Sequence, residues 1–227
     1  MIIKIPKQSF CLFITFSFLV TFGITQENKP VTNDVLLNGD FEQELNIGWQ
    51  TSSDDYSGSS EITRNQVEKN HYAHLIKDLC GYAELSQIIN LDNLNQGLSA
   101  RLNLNATSNR AGYNAIAAFI LSFLDKENKV LAETRIAYST DQLTNTPIPY
   151  SYPAKPAEWK TYTLNLKDEL DKHFSKVDVS KIKKLKITLS AYNDQTNGCW
   201  GLEQKAEVSA DDIKMVAVKN TPNKKWK

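Results

Sequence analysis

The chain has 227 residues, with 26 basic and 26 acidic side chains that balance when histidine is neutral. A chain without excess positive charge gives no case for binding nucleic acid or an anionic membrane surface. The length fits one large domain by the usual range of about 100–200 residues per domain. The aromatic residues include nine tyrosines and four tryptophans, types that are common on binding surfaces.

Residues 1–25 predict a secretory signal peptide. Lys4 and Lys7 precede the apolar run SFCLFITFSFLVTFGI, and small residues precede Gln26 at the expected cleavage site. The alternative is an uncleaved anchor helix, but a run of about 16 apolar residues is shorter than the roughly 20 that a spanning helix needs. We therefore expect a secreted, periplasmic or cell-surface protein, with no membrane insertion after cleavage.

Residues 26–35 are polar and predict a short linker before a folded domain at 36–218. The domain begins with LLNGDFEQELNIGW, in which the dipeptide NG is a turn signal after two leucines. The carboxylates of Asp40 and Glu42 therefore follow a tight turn. At the other end, residues 219–227 predict a flexible basic tail.

Alternation of apolar and polar residues dominates the domain, and this period of two is typical of half-buried strands. Strands are predicted at 72–77, 83–91, 98–105, 116–124, 130–138, 159–166, 185–192 and 208–218. The segment IAAFILSFL is apolar on both faces, which predicts a central strand, and the polar DKENK after it predicts a hairpin turn.

Only residues 165–177 predict a helix, because the apolar residues of NLKDELDKHFSKV recur at helical spacing. The segment 139–158 contains four of the seven prolines and predicts a surface loop without regular pairing. Many short strands, little helix and no repeat predict an all-β fold, a two-sheet antiparallel β-sandwich of jelly-roll type.

Two cysteines remain after cleavage, Cys80 and Cys199. Both lie beside glycine in turn-like contexts, and an exported chain meets an oxidising compartment, so we expect a disulfide bond between them. Such a bond would contribute roughly 4–5 kcal/mol in the loop-entropy model. The alternative is two buried free thiols.

The order of several segments resembles the galactose-binding-domain-like jelly rolls, which include carbohydrate-binding modules of family four and their relatives. These segments are LLNGDFEQ…GW, NHYAHLI, AELSQIINL, LSARLNL, AAFILSFLDKENKVL, EWKTYTLNL, IKKLKITLSA and VSADDIKMV. The ends, NGDFE…GW and ADDIKM, are the most specific parts. The resemblance covers residues 36–218 and implies a secreted, non-catalytic protein that binds a polysaccharide or glycan.

The same resemblance implies a structural calcium ion that joins the first turn to the last strand. Its ligands would be the side chain of Glu42, either Asp40 or a carbonyl of the Asn38-Gly39 turn, and either Asp211 or Asp212. Oxygen ligands of this kind suit a hard cation. The alternative is that Asp40 caps the turn and the aspartate pair lies at a solvated strand edge.

Glycan binding needs aromatic faces beside planar polar side chains, because a sugar has an apolar C–H face and hydroxyl groups at its rim. Trp200 follows Cys199 in a loop that a disulfide would hold rigid, and Tyr82 comes close if Cys80 is the partner. The alternative for Trp200 is a plug over the end of the sandwich. Trp49 and Trp159 are expected in the core, as in the family.

Further candidate ligand-binding residues lie in two loops. Tyr150 and Tyr152 are spaced to point the same way if the proline-rich loop is extended there, and the alternative is that they fold onto the sheet. Asn193 and Asp194 would supply hydrogen bonds to sugar hydroxyls.

No catalytic site is predicted. His71 and His74 would project to opposite faces of a strand, and no pair of acids stands out as a glycosidase pair. Two other functions stay open: a cell-surface structural or adhesion protein that binds another protein, and a small polysaccharide-active hydrolase or lyase. A broad apolar patch would favour the former, and two facing acids with one raised pKa the latter.

Overall fold

A computed structural model describes residues 32–33, 35–54, 57–109, 114–140, 151–193 and 203–218. The predicted signal peptide and the basic tail lie outside these residues. Within the described ranges, no helix is long and apolar enough to cross a bilayer. Thr32–Asn33, which fall in the predicted linker, already pair with the sheet.

Seven strands form the larger sheet. They are β1 Thr32–Asn33, β2 Gln50–Ser53, β5 Gly81–Asn90, β7 Ala115–Leu124, β8 Val130–Ser139, β9 Ser151–Pro153 and β11 Lys184–Asn193. Their order is β1-β5-β11-β7-β8-β9, and β2 pairs with β5 as well. All neighbours are antiparallel except β1 with β5 and β8 with β9, which are parallel.

Five strands form the smaller sheet. They are β3 Ser60–Val67, β4 Asn70–Asp78, β6 Gln96–Ser108, β10 Lys160–Asn165 and β12 Gln204–Ala217. Their order is β10-β6-β12-β4-β3, and every pair is antiparallel. The last strand of the described chain, β12, therefore lies in the middle of this sheet.

Every second side chain of each central strand points between the two sheets, as the alternation predicts. These side chains form one buried core, which includes Phe119, Phe123, Leu104 and Leu189. The predicted fold class, a two-sheet antiparallel β-sandwich, is confirmed.

A single α-helix, α1, spans Leu166–His173. The side chain of Asn165 accepts hydrogen bonds from the N–H groups of Lys167 and Asp168, which caps the first turn. Leu166 and Leu170 turn inward and are buried. The helix predicted at 165–177 is confirmed in position, but it ends at His173.

The two tryptophans expected in the core lie in different places. Trp49 is buried and packs against Phe41, with ring centroids 5.3 Å apart, so its core position is confirmed. The expected core position of Trp159 is wrong. Lys160, the first residue of β10, pairs with the inward-facing Leu102, so the residue before it, Trp159, lies on the outer face of the smaller sheet. The prediction of no regular pairing at 139–158 is wrong at β9, which pairs with β8.

Candidate functional site

Side chains on the outer face of the larger sheet form rows across the strands. Glu84, Ser190, Ala118 and Ala137 are successive register partners on β5, β11, β7 and β8. Although they face away from the core, Ala118, Ala137 and Ser190 are only 0%, 1% and 1% exposed. The larger side chains beside them therefore cover these short side chains, and we call the row together with its flanking side chains the trough.

Larger side chains flank the central row of the trough on both sides. Tyr82, Tyr192 and Ile116 form the row on one side, and Ile120 and Arg135 belong to the row on the other. An apolar cluster separate from the main core lies here, formed by Ile116, Ala118 and Ala137 with Ile120 and Tyr192 against it. The trough thus has an apolar floor and walls of aromatic, aliphatic and charged groups.

Arg135 reaches across this floor. Its Nη1 donates to the hydroxyl of Tyr192 at 3.2 Å, and its Nη2 donates to Glu133. Because β7 lies between the strands of Tyr192 and Arg135, their hydrogen bond passes over Ala118. A small residue at position 118 leaves room for this bridge.

Two carboxylates on the same face are held by hydroxyl groups. Glu84 Oε1 accepts a hydrogen bond from Ser190 Oγ at 3.0 Å, and Glu133 Oε2 accepts one from Ser122 Oγ at 3.0 Å. These bonds fix the carboxylates before any ligand arrives, which reduces the ordering cost of binding.

Two donors beside the trough have no acceptor within the described residues. Arg135 Nε and Ser151 Oγ are both buried without a hydrogen-bond partner. Ser151 is the register partner of Arg135 on β9, so the two donors are neighbours on one face. Buried polar groups are almost always hydrogen-bonded, so these two donors are exceptions within the described residues.

The structure places one predicted ligand-binding residue at the trough. Tyr82 lies on the outer face beside Tyr192, and its hydroxyl accepts a hydrogen bond from Ser52 Oγ at 3.4 Å. Trp200, Tyr150 and Asp194 lie outside the described residues.

Tyr152 and Asn193 face the inside of the sandwich and are not brought together with Tyr82. The Tyr152 hydroxyl donates to Glu169 Oε1 at 2.7 Å. Burial and this hydrogen bond raise the pKa of Tyr152 to about 12. Asn193 is buried, and its amide donates to the backbone carbonyl of Leu79. The ligand-binding role of all these residues stays a prediction.

Cys80 is buried at the turn between β4 and β5. Its predicted partner, Cys199, lies outside the described residues. The disulfide bond between them therefore stays a prediction.

The carboxylates of the first turn bind groups of the protein. Asp40 Oδ1 accepts the N–H of Glu42 at 3.3 Å, which is the capping contact weighed from the sequence. Glu42 Oε1 accepts the backbone N–H of His71 at 2.9 Å, and its Oε2 lies 2.8 Å from the ring Nδ1. The backbone hydrogen bond, followed by that of the ring, lowers the pKa of Glu42.

The carboxylates of the last strand are also engaged. Asp211 accepts hydrogen bonds from Asn70 and Arg101, and Asp212 binds the ammonium group of Lys214. Among the described residues, no group of three or more His, Cys, Asp or Glu is placed to hold a metal ion. This arrangement does not fit the calcium site that the resemblance implies, and calcium binding by this protein stays a prediction.

Sequence reasoning missed the residues that gather at the trough: Glu84, Glu133, Arg135 and Tyr192. Each occupies a polar-face position of a predicted strand, so their outward direction could be read from the alternation. Their neighbours could not, because the register between distant strands is not visible in one sequence.

No protein-family model matches this chain, and no curated protein sequence matches it. Several solved structures are similar to it. One comes from a study of promiscuous carbohydrate-binding modules of the β-sandwich superfamily, with 14% identity and a TM-score of 0.45 over 82% of this chain and 63% of that one. Another is a family 28 carbohydrate-binding module specific for non-crystalline cellulose, with 12% identity and a TM-score of 0.47 over 83% and 99% of the two chains.

A third similar structure is the enzymatically active domain of tailspike protein 4 from bacteriophage CBA120, with 15% identity and a TM-score of 0.45. This chain spans 63% of the first of these structures and 21% of the phage protein. The neighbours include carbohydrate-binding modules, as the sequence resemblance led us to expect. Similarity at this level says nothing of what this chain binds, which must follow from its own residues.

Proposed function

We propose that this protein binds a neutral polysaccharide or glycan in the trough of the larger sheet, without changing it chemically. The observation that carries the proposal is the trough itself. Its central row contains two buried alanines on the outward side of the sheet. Tyr82 and Tyr192 lie on one side of this row, Arg135 lies on the other, and Glu84 lies at its end.

The side chains match the two kinds of surface on a sugar. The C–H face of a pyranose ring packs on an aromatic ring, which Tyr82 and Tyr192 offer. Sugar hydroxyls both donate and accept, so they suit carboxylates such as Glu84.

The charges of the face favour a neutral glycan. Beside the trough, Glu84 and Glu133 are balanced by Arg135 and Lys186. The other outward lysine of β11, Lys184, lies at the end of the sheet and donates to the carbonyl of Lys126 and to Asn128. Without excess positive charge, the trough has no electrostatic attraction for a glycan that carries carboxylate or sulfate groups.

We also propose that the protein is secreted, that Cys80 and Cys199 form a disulfide bond, and that Trp200 contributes to glycan binding from its loop.

The test is affinity gel electrophoresis of residues 26–227 in gels that contain one neutral or one acidic polysaccharide each. We expect retardation by a neutral polysaccharide, and about tenfold weaker binding in Tyr82→Ala and in Glu84→Gln, because each loses roughly 1–2 kcal/mol of contact. The control is Thr163→Ala, an exposed threonine on the outer face of the smaller sheet, which should bind as the wild type does.

Other results would contradict the proposal in distinguishable ways. Binding that survives both trough variants and is lost in Trp200→Ala would move the site to the loop. Retardation by acidic polysaccharides alone would overturn the charge argument. Absence of binding to any glycan would favour a protein partner, and appearance of new reducing ends would show an enzyme.

A further inference from the structure

We infer that the corner where the first turn meets the last strand is held by cationic side chains of the protein, so that its fold does not depend on calcium. We call this region the closing corner; it comprises residues 38–42 and 211–213. The inference goes beyond glycan binding, and it departs from what the sequence resemblance implies.

The two backbones of the closing corner touch directly. The N–H of Ile213 donates to the carbonyl of Gly39 at 2.8 Å. A Cβ added at Gly39 would lie 1.9 Å from the carbonyl oxygen of Ile213, which leaves no space for a side chain or an ion between them. The first turn and the last strand are thus joined without a bridging atom.

A bulge in β12 separates the two aspartates. The register with β6 shifts between Asp211 and Lys214, and Asp212 has a φ of 53°. Asp211 is consequently buried against its neighbours, Asp212 is exposed, and Ile213 returns to the core. The two carboxylates diverge and do not form a joint ligand pair.

Asp211 is only 4% exposed, so its charge needs partners close by. Its Oδ2 accepts from Asn70 Nδ2 at 2.9 Å and from Arg101 Nη1 at 3.2 Å, and its Oδ1 accepts the N–H of Asp212 at 2.7 Å. The guanidinium of Arg101 also lies 4.7 Å from the ring centre of Trp159, which positions it. Arg101 therefore supplies the positive charge at this carboxylate.

The remaining carboxylates of the closing corner have separate partners, and that of Asp40 accepts the N–H of Glu42 at 3.3 Å. Glu42 binds His71 through its backbone N–H and its ring, and Asp212 accepts two contacts of 2.9 Å from Lys214 Nζ. Calcium takes six to eight oxygen ligands. To collect them here, it would have to break several of these contacts and displace a guanidinium from a buried acid.

The test compares thermal unfolding of the full chain after residue 25 in calcium and in excess EDTA. We expect the same midpoint in both for the wild type. Arg101→Gln should lower the midpoint by about 5–10 °C, because it leaves a buried carboxylate without its cation. The control is Lys126→Gln, which removes the partner of an exposed acid, Glu127, outside the closing corner and should change the midpoint by only about 1–2 °C.

If Arg101→Gln does not fold, Arg101→Lys keeps the positive charge and should fold with a smaller loss. The inference is wrong if calcium raises the midpoint of the wild type and Asp211→Asn abolishes that increase. It is also wrong if Arg101→Gln melts at the same temperature as the wild type. Terbium luminescence at the closing corner would be a second, direct sign of a metal site.

Discussion

His74 lies on the outer face of the smaller sheet, between Tyr72 and Ser209. Its Nδ1 is 2.9 Å from Ser209 Oγ, and its ring meets that of Tyr72 edge to face. Burial lowers the pKa of His74 below 6.5, against the attraction of two acids, Glu207 and Glu61. The folded protein therefore prefers the neutral imidazole.

This pKa predicts how stability changes with acidity. Because the folded state binds the proton at a lower pH than the unfolded state does, the unfolded state gains protons first as the pH falls below 6.5. We expect the free energy of unfolding to decrease in that range, and His74→Gln to flatten the decrease. Urea unfolding at several pH values on either side of 6.5 measures the free energy of unfolding for both proteins. An equal decrease with falling pH in the wild type and in His74→Gln would show that His74 does not cause it.

At the scale of elements, α1 is tied to the larger sheet by one buried acid. Glu169 is 5% exposed, and its carboxylate accepts hydrogen bonds from Thr134 Oγ1 on β8 at 3.1 Å and from the Tyr152 hydroxyl on β9 at 2.7 Å. One side chain thus connects a helix with two neighbouring strands, and it anchors the short strand β9.

Removal of this acid should loosen the helix from the sheet. We expect Glu169→Ala to lower the free energy of unfolding by about 2–4 kcal/mol, because the hydroxyls of Thr134 and Tyr152 lose this buried acceptor, while the 3.1 Å contact of Tyr152 with His173 still links that tyrosine to α1. The control is Asp171→Ala, which breaks an exposed pair with Lys167 on the same helix and should cost about 0.5 kcal/mol or less. Urea unfolding followed by circular dichroism checks both; similar losses would show that the network is dispensable.

The elements that the sequence predicts best are those with a clear alternation. Strands β4 to β8 and β10 to β12 lie where the pattern places them. Strand β3 was not predicted, because SEITRNQV is polar on both faces at the edge of its sheet. Strand β9 was not predicted either, since a strand of three residues in a proline-rich segment is too short to show an alternation.

The trough shows the limit of such predictions. The alternation gives the outward direction of Glu84, Arg135 and Tyr192, but these residues come from distant parts of the chain. Their meeting depends on the strand order β5-β11-β7-β8 and on the register within it. Loop aromatics stand out in a sequence, whereas polar residues of ordinary strands do not. The sequence therefore predicted the former as ligand-binding residues and not the latter.

At the scale of the whole molecule, the contact between Gly39 and Ile213 joins the first turn to the last strand. We expect Gly39→Ala to lower the free energy of unfolding by about 3 kcal/mol or more, because the new methyl group meets a backbone oxygen that cannot move alone. The control is Gly97→Ala, where the nearest atom, 3.0 Å away, belongs to the side chain of Val216, and the loss should be about 1 kcal/mol. Chemical denaturation compares the two variants. A loss for Gly39→Ala no larger than that for Gly97→Ala would show that the backbone at the closing corner can move to accept the methyl group.

The central place of β12 in the smaller sheet has a consequence for biosynthesis. Both neighbours of β12, the strands β4 and β6, are made much earlier, and each lacks a partner on one side until residues 204–217 have left the ribosome. The smaller sheet therefore cannot be completed over the core until these residues have been synthesised.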